Sequence, residues 1–298
     1  MFVVFINDIA HLFTDNTCTC KLYADDLKLY TLLHTNTDCC FLQSKLNEVS
    51  EWSRKWQLTI SHTKCSIMYV GNTNCNVGLS IILNDNVLPV VNEVKDLGVI
   101  VDSRLSFNAH INHIVARAFT RANLIHKCFT SRDAATLWRA FTVYVRPMLE
   151  YATCVWSPHG VGQVNRIESV QRKFTKRLPG YDSLDYKSRL MRLHADSLEL
   201  RRLRYDLIYT YNKIVFGLVN GTANDLFMLT SLIHSSGTRG HAYKLFPHCN
   251  RVDLCKYFFS QRIIDTWNSL PARPNDFSSL ARFKRFIYFF YFFIPPVV

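Results

Sequence analysis

The stretch Leu22-Tyr23-Ala24-Asp25-Asp26-Leu27 decides how the first part of this chain folds. Short apolar runs flank its two adjacent aspartates, from Cys20 to Ala24 before them and from Leu27 to Tyr30 after them. Because aspartate is poor in strands and favoured in turns, the pattern predicts a tight β-hairpin. Both carboxylates are then expected at the hairpin tip, close to solvent.

The chemistry of this tip depends on the two carboxylates. Neighbouring carboxylates repel each other, and a hard, oxygen-seeking cation such as Mg²⁺ relieves that repulsion. Nucleotidyl transfer uses two such ions about 4 Å apart, one on the attacking oxygen and one on the leaving oxygen. An isolated Asp-Asp pair would be interpreted as a solvated turn, but its surroundings favour a metal site here.

Segments along nearly the whole chain are similar to one family. Tyr23-Ala24-Asp25-Asp26 resembles the Tyr-Ala-Asp-Asp signature of reverse transcriptases, and Phe2 to Ile9 resembles the apolar run that precedes it in non-LTR, jockey-like retrotransposons. Further segments that resemble this family follow in its order: Trp52 to Lys64, Val94 to Val99, Arg146 to Ala152, Val155 to Pro158, Phe258-Phe259 with Arg262, and Trp267 to Pro271. One four-residue motif is weak, whereas this ordered series is strong.

The resemblance implies RNA-directed DNA polymerisation and assigns catalytic roles. Asp25 and Asp26 would be catalytic metal ligands for Mg²⁺, with Asp25 the more direct ligand. Lys64 would be the general acid for the departing pyrophosphate, where a cation also stabilises developing charge. The alternative for Lys64 is a surface lysine that begins a strand from Ser66 to Val70.

The resemblance also implies residues that hold nucleic acid. Tyr23 would lie near the primer end, and the region of Lys95 and Gly98 would support the primer terminus. Contacts of this kind position nucleic acid without reading its sequence. The pattern predicts one strand from Val94 to Val101, in which Gly98 permits close backbone approach.

Length and composition set the class of protein. The 298 residues are 48% hydrophobic, which suits a folded chain long enough for two domains. The formal charge of +12 favours a polyanionic partner, although a membrane surface would also attract it. The ten cysteines are dispersed and no secretory leader is evident, so we predict reduced thiols in an intracellular protein, nuclear or cytoplasmic.

Helical periodicity marks two regions. Leu42, Leu46, Val49, Trp52 and Trp56 recur at intervals of three and four, which predicts a helix from a cap at Asp38 to about Leu58. Both tryptophans could stack on bases, but aromatics at helical spacing are more often core, and we expect core. From Asn108 onward the pattern is helical again, with Ser131 predicted to cap the second helix of that region.

Basic residues cluster in this helical region. One predicted helix presents an exposed set on one face, namely Arg166, Arg172, Lys173, Lys176 and Arg177. A further cluster comprises Lys187, Arg189, Arg192, Arg201, Arg202 and Arg204. Charged helix faces are usually only solvated. Here cations greatly outnumber acids, so both clusters are expected to contact phosphates.

We therefore predict an α+β fold. Residues 1–105 would form the C-terminal part of a polymerase palm, 106–215 a helical thumb, and 216–298 a C-terminal tail of unknown role. Phe286 to Ile294 is nearly all apolar and too short to span a bilayer. It could be an interaction segment or the product of a shifted reading frame, and it is an aggregation risk.

The expected partners are an RNA template and a DNA primer, with no membrane. A polymerase palm also needs a third carboxylate from another strand, and fingers that bind the nucleotide, which the family carries before the matching segment. We therefore expect weak or absent metal binding and no polymerisation by this chain alone. The alternatives are a non-enzymatic nucleic-acid-binding protein and a structural or interaction protein with no nucleic-acid role.

Overall fold

The fold is α+β, as predicted. The computed structural model describes residues 6–13, 18–33, 35–71, 80–216, 226–230, 241, 243–247 and 256–293. Contacts divide the chain into two compact units, Met1–Ser106 and Phe107–Val298. The described strands all lie in the first unit, and most of the helices lie in the second. The assignment of palm, thumb and tail stays a prediction.

Three two-stranded antiparallel sheets form in the first unit. Their strands are β1 (Thr19–Tyr23) with β2 (Asp26–Tyr30), β3 (Ile82–Leu83) with β4 (Asn86–Val87), and β5 (Glu93–Asp96) with β6 (Val99–Asp102). Each pair is joined by a two-residue turn. In the second and third turns both central residues have positive φ, which matches the twist of the flanking strands.

Two strand predictions are wrong. Val94 to Val101 is not one strand but a hairpin, because Leu97 and Gly98 adopt φ of 44° and 87° and reverse the chain. Ser66 to Val70 does not form a strand, and its described pairing is a single parallel bridge between Ile67 and Val90. Both segments contain the apolar residues on which the strand predictions depended. In the first segment the backbone reverses direction, and in the second it forms only one bridge.

One long helix, α1 (Asn36–Lys55), packs in the first unit. Its N-cap is Thr35, and Asp38 lies in the first turn, where its carboxylate accepts a 2.7 Å hydrogen bond from the Thr35 amide. Trp52 is half-buried, but Trp56 follows the last helical residue and is 39% exposed, so the core prediction is wrong for Trp56.

One buried cluster of the first unit lies beside α1. Ile81, Leu83 and Leu88 are buried together beside the helix residue Leu46. A 3₁₀ helix at Asp8–Phe13 lies near α1, where the Lys45 ammonium donates a 2.8 Å hydrogen bond to the carbonyl of Leu12. The apolar run from Phe2 to Ile9 is described only from residue 6.

Helices build the second unit. They are α2 (Asn108–Cys128), α3 (Ala134–Tyr144), α4 (Arg146–Glu150), α5 (Thr153–Trp156), α6 (Val161–Lys176), α7 (Tyr186–Arg192), α8 (Leu198–Tyr211), α9 (Phe259–Arg262), α10 (Ile264–Asn268) and α11 (Leu280–Phe293). A π-helical stretch at Asn212–Phe216 follows α8, and a 3₁₀ helix at Pro274–Phe277 precedes α11. Asp133, rather than the predicted Ser131, caps α3 by accepting a 2.7 Å hydrogen bond from the Thr136 amide.

Helices α2 and α6 run parallel, side by side. Asn108 hydrogen-bonds Gln163, the Lys173 ammonium lies 4.9 Å from the Phe119 ring centroid, and Arg177 donates a 2.7 Å hydrogen bond to Asn123. The partners in these three contacts are 55, 54 and 54 residues apart. This near-constant separation means that the two helices keep one register over about four turns.

The C-terminal segment shares a core with α8. Leu207 and Tyr211 are buried in one cluster with Trp267, Phe277 and Phe283. The Tyr211 hydroxyl donates a 2.7 Å hydrogen bond to the Phe277 carbonyl. The described part of the predicted tail is therefore packed into the helical unit. No described helix is long and apolar enough to cross a membrane.

Candidate functional site

The hairpin places the paired aspartates at its tip, as the sequence predicts. Asp25 is the second turn residue, and Asp26 opens β2 opposite Tyr23. Ala24, the first turn residue, has a positive φ of 53°, which lets two residues close the turn. Asp25, Asp26 and Tyr23 are all exposed, and Tyr23 shows 67% of its surface.

The alternation of side chains separates the hairpin into two faces. Leu22 and Leu27 pair on the partly buried face, whereas Tyr23 and Asp26 pair on the exposed face. The aspartate side chains are thus presented by backbone pairing, with the neighbouring leucines anchoring the other face.

An ion pair joins this hairpin to the hairpin formed by β5 and β6. Lys28 of β2 pairs with Asp96 of β5, while Lys21 lies directly across from Lys28. Asp96 is next to Lys95, which is exposed on β5. The Lys28–Asp96 ion pair therefore connects the aspartate hairpin to the segment that is predicted to support the primer.

The other predicted residues of the first unit lie as follows. Gly98 is exposed in the turn between β5 and β6, where its φ of 87° suits glycine. Lys64 ends the 3₁₀ helix His62–Lys64 and is exposed. No hydrogen bond or ion pair between described residues joins Lys64 to Asp25 or Asp26. The roles of Gly98 and Lys64 stay predictions.

The donor chemistry at the hairpin fits a hard divalent cation. Ionised aspartates offer only oxygen acceptors, and those of Asp25 and Asp26 are open to solvent. In the described ranges, no group of three or more His, Cys, Asp or Glu side chains could hold a metal ion. Asp25 and Asp26 are therefore a partial ligand set, which a complete two-metal site would have to extend.

The second candidate surface is the outer side of α6, which we call the α6 basic face. It comprises Arg166, Arg172, Lys173 and Lys176 of the helix and Arg177, the residue that caps its C-terminal end, all exposed. None of the five forms an ion pair with a described residue. The Arg172 guanidinium lies 5.1 Å from the Tyr186 ring centroid, so this cation is stabilised by a neutral aromatic ring and not by a carboxylate.

A shallow groove lies along this face. Phe119 and Asn123 of α2 line it together with Lys173, Lys176 and Arg177 of α6, around a volume of about 380 Å³. Helix α2 contains no Asp or Glu, and the one acid of α6, Glu168, is buried on the other side. The groove therefore combines cations, an aromatic ring and an amide without an opposing carboxylate.

The field of these cations reaches a buried histidine. His126 packs its ring 4.5 Å from the Phe174 ring, centroid to centroid. Burial lowers the pKa of His126, and the nearby charges of Arg177 and Arg132 lower it further. Burial is the larger cause of this shift, and the two arginines act in the same direction.

The second basic cluster is largely internal, contrary to the prediction of phosphate contact. Arg189, Arg202 and Arg204 are buried, and Arg201 is half-buried. Arg201 donates a 3.1 Å hydrogen bond to Glu150, and Arg204 pairs with Asp196. Local sequence does not distinguish Arg201 from the arginines of α6, because Glu150, the acid that neutralises it, lies on another helix. Lys187 and Arg192 remain exposed.

Buried acids hold the same region together. The Glu168 carboxylate accepts hydrogen bonds from the amides of Leu198 and Glu199 at 3.2 and 3.3 Å, where α8 begins. It therefore neutralises the positive end of that helix. Asp206 of α8 accepts a 3.0 Å hydrogen bond from Arg262 of α9, joining the C-terminal segment to the rest of the unit.

Sequence reasoning missed three contributors to these sites. Phe119 and Asn123 complete the groove from a helix more than 50 residues away, and Asp96 meets Lys28 across 68 residues. No local pattern marks such partners. The one available signal was the complete lack of acids in α2.

Comparison with known proteins places the first third of the chain. Residues 1–101 match the family described as reverse transcriptase (RNA-dependent DNA polymerase). The RNA-directed DNA polymerase from mobile element jockey of Drosophila funebris is 29% identical over 166 residues, which are 53% of this chain and 18% of that protein. The probable RNA-directed DNA polymerase from transposon BS of Drosophila melanogaster is 25% identical over 183 residues, 58% of this chain and 19% of that protein.

An uncharacterised protein of Caenorhabditis elegans is 26% identical over 129 residues, 42% of this chain and 65% of that protein. The chain spans less than a fifth of the length of each of these mobile-element polymerases. No solved structure is a significant match. Residues 1–101 of the chain are therefore similar to the reverse transcriptase family, and the mobile-element relatives are named as RNA-directed DNA polymerases.

Proposed function

We propose that this chain is part of an RNA-directed DNA polymerase and holds template and primer on the α6 basic face. The observation that carries the proposal is the set of five exposed cations without carboxylate partners among the described residues. Exposed cations that are left unneutralised in the fold can release counterions from nucleic acid when they bind phosphates. The relatives' printed names add support, since they describe RNA-directed DNA polymerases.

The groove beside the face fits a nucleic-acid backbone. The cations from Arg166 to Arg177 extend over twelve residues, a rise of about 16 Å, which is enough for two or three consecutive phosphates. Asn123 can donate from its amide, and Arg177, which it already contacts, is held in place for a phosphate. Contacts of this kind fix position and carry no sequence preference.

In the first unit we assign Asp25 and Asp26 to Mg²⁺. Bound there, Mg²⁺ would supply charge stabilisation on the reacting oxygens of nucleotidyl transfer. The chain's own residues orient the site: the β1–β2 pairing presents both carboxylates, and the Lys28–Asp96 pair holds the neighbouring hairpin. Lys64 is assigned as proton donor, and Tyr23, Lys95 and Gly98 to the primer end.

The test of the nucleic-acid face is a fourfold replacement of Arg172, Lys173, Lys176 and Arg177 by Ala. We expect weaker binding to RNA and DNA alike, and a slope of log affinity against log salt that is about 3–4 units shallower on duplex DNA. Filter binding at several salt concentrations measures both quantities. The matched control replaces four exposed cations on other elements, Arg54, Lys55, Arg104 and Arg139.

Equal losses in the test and control variants would mean that net charge alone binds nucleic acid, and the α6 assignment would be wrong. Unchanged affinity in the test variant would remove the proposal's main support. Loss confined to the test variant supports it.

A second candidate function is nucleic-acid binding without catalysis. It is favoured by the partial ligand set at Asp25 and Asp26, which has no third acid among the described residues. Primer extension on an RNA template with Mg²⁺ and nucleotides separates the two functions, with Asp25→Ala as control. We expect no extension by this chain, because two adjacent carboxylates cannot complete two octahedral ion sites. Extension that disappears in Asp25→Ala would show a complete polymerase site.

A further inference from the structure

We propose that the outward side of α11 binds single-stranded nucleic acid, as a site separate from the α6 basic face. This side, which we call the α11 face, exposes Arg282, Lys284, Arg285, Tyr288 and Phe289. The opposite side of the helix is buried, with Phe283 and Ile287 in the core shared with α8. The helix thus offers a ligand only its cationic and aromatic side.

Tyr288 is held as a fixed platform. The buried Arg204 guanidinium lies 4.3 Å from the Tyr288 ring centroid and also donates a 3.3 Å hydrogen bond to the Tyr288 carbonyl. Arg204 is itself fixed by its ion pair with Asp196. The ring therefore rests on a rigid cation, while 45% of the residue stays open to solvent.

The spacing on α11 places a cation beside the ring. Arg285 precedes Tyr288 by three residues and Phe289 by four, so these side chains are neighbours on one helix face. A base stacked on Tyr288 would bring its phosphate within reach of Arg285. Aromatic platforms next to cations are how single strands are bound without sequence preference, and stacking needs an unpaired base.

The charges around the face favour a polyanion. The helix carries three cations and no carboxylate. Asp196 is neutralised by Arg204, the cation against the Tyr288 ring, and Glu150 is neutralised by Arg201. A phosphate approaching Arg285 therefore meets net positive charge.

A membrane surface fits these observations less well. Amphipathic helices bind membranes by burying their apolar side in the lipid. The apolar side of α11 is already occupied by Tyr211 and Trp267 of the protein core. The exposed side combines three cations with two aromatic rings, which suits phosphates and bases.

The experiment compares two oligonucleotides of equal charge, a twelve-residue oligothymidylate and the same backbone without bases. To remove the α6 site, all proteins carry the fourfold Ala replacement described above. We expect the base-containing strand to bind about tenfold more tightly, within the range for stacking one base. Tyr288→Leu should reduce this ratio to about one, and Tyr288→Trp should keep or increase it. Tyr144→Leu, which removes a similarly exposed tyrosine of α3, should leave it unchanged.

Arg285→Gln should weaken both strands equally, because it removes a phosphate contact and no stacking. If Tyr288→Leu does not fold, Tyr288→Trp and Arg285→Gln carry the test. Equal affinity of the starting protein for the two strands would overturn the proposal. Vesicles of phosphatidylcholine with phosphatidylserine provide a second test. The proposal would also be overturned if the protein bound these vesicles more tightly than the oligothymidylate and lost that binding in Tyr288→Leu.

Discussion

Two arginine-rich helices of the same unit use their cations in opposite ways. On α6 the cations are exposed and have no acidic partner among the described residues. On α8 they turn inward, where Arg201 meets Glu150 and Arg204 meets Asp196. The two helices have similar numbers of basic residues, yet one presents them to solvent and the other uses them to hold its neighbours.

The difference teaches that a count of cations does not locate a nucleic-acid surface. A buried cation has already exchanged its water for a protein partner and has little left to offer a phosphate. An exposed cation without a partner keeps its full charge for a ligand. The neutralising acids decide which case applies, and here they come from α4 and from the turn before α8.

The largest expected difference lies between Arg204→Met and Arg177→Met. We expect Arg204→Met to lower the free energy of unfolding by about 3 kcal/mol, because it leaves Asp196 without its partner and removes the support under Tyr288. Arg177→Met should change it by less than about 0.5 kcal/mol, since that side chain is exposed. Urea unfolding of both variants measures the difference. Equal destabilisation would remove the contrast between the two helices.

The same contrast applies to two histidines of α2. His110 is buried against Trp156, and burial, with a smaller effect of His113, lowers the pKa of His110 to about 4. His110 therefore takes up a proton near pH 6.5 in the unfolded chain but only near pH 4 in the folded chain. The free energy of unfolding should accordingly fall as the pH drops from about 6.5 towards 4. At pH 5 the loss is about 2 kcal/mol relative to pH 7.

His110→Phe keeps the ring and removes the titration, so its stability should change less between pH 7 and pH 5 than that of the unchanged protein. The exposed His113 supplies the control, and His113→Gln should leave most of the pH dependence in place. Urea unfolding at the two pH values measures this. If both variants showed the original dependence, His110 would not be its source.

The smallest expected effects concern how the two helices begin. The Ser197 hydroxyl accepts a 3.1 Å hydrogen bond from the Leu200 amide at the start of α8, whereas α6 begins at Gly160 without a side-chain cap. Ser197→Ala should cost about 1 kcal/mol. Gly160→Ser should gain a few tenths, because an added Cβ meets Gln163 at an ordinary 3.7 Å. Thermal unfolding of the two variants measures whether each is more or less stable than the unchanged protein. An increase in the stability of Ser197→Ala would contradict the capping argument.

Sequence patterns located much of the fold. The aspartate hairpin, the helix α1 and the α6 basic face lie where local pattern predicts them. They depend on short-range signals: turn residues between apolar runs, and apolar side chains at helical spacing. Predictions that needed a distant partner were less successful. Trp56 is exposed because the helix ends one residue earlier, and Val94 to Val101 folds back on itself.

The sequence by itself determined the similarity to reverse transcriptases, the position of Asp25 and Asp26, and the surplus of positive charge, because each of these depends on adjacent residues or on composition. Only the tertiary structure decided which cations are available. Glu150 lies 51 residues from Arg201, and Asn123 lies 54 residues from Arg177. Whether the charge of a side chain is neutralised depends on contacts that form when the chain packs, and the neighbouring residues in the sequence do not predict those contacts.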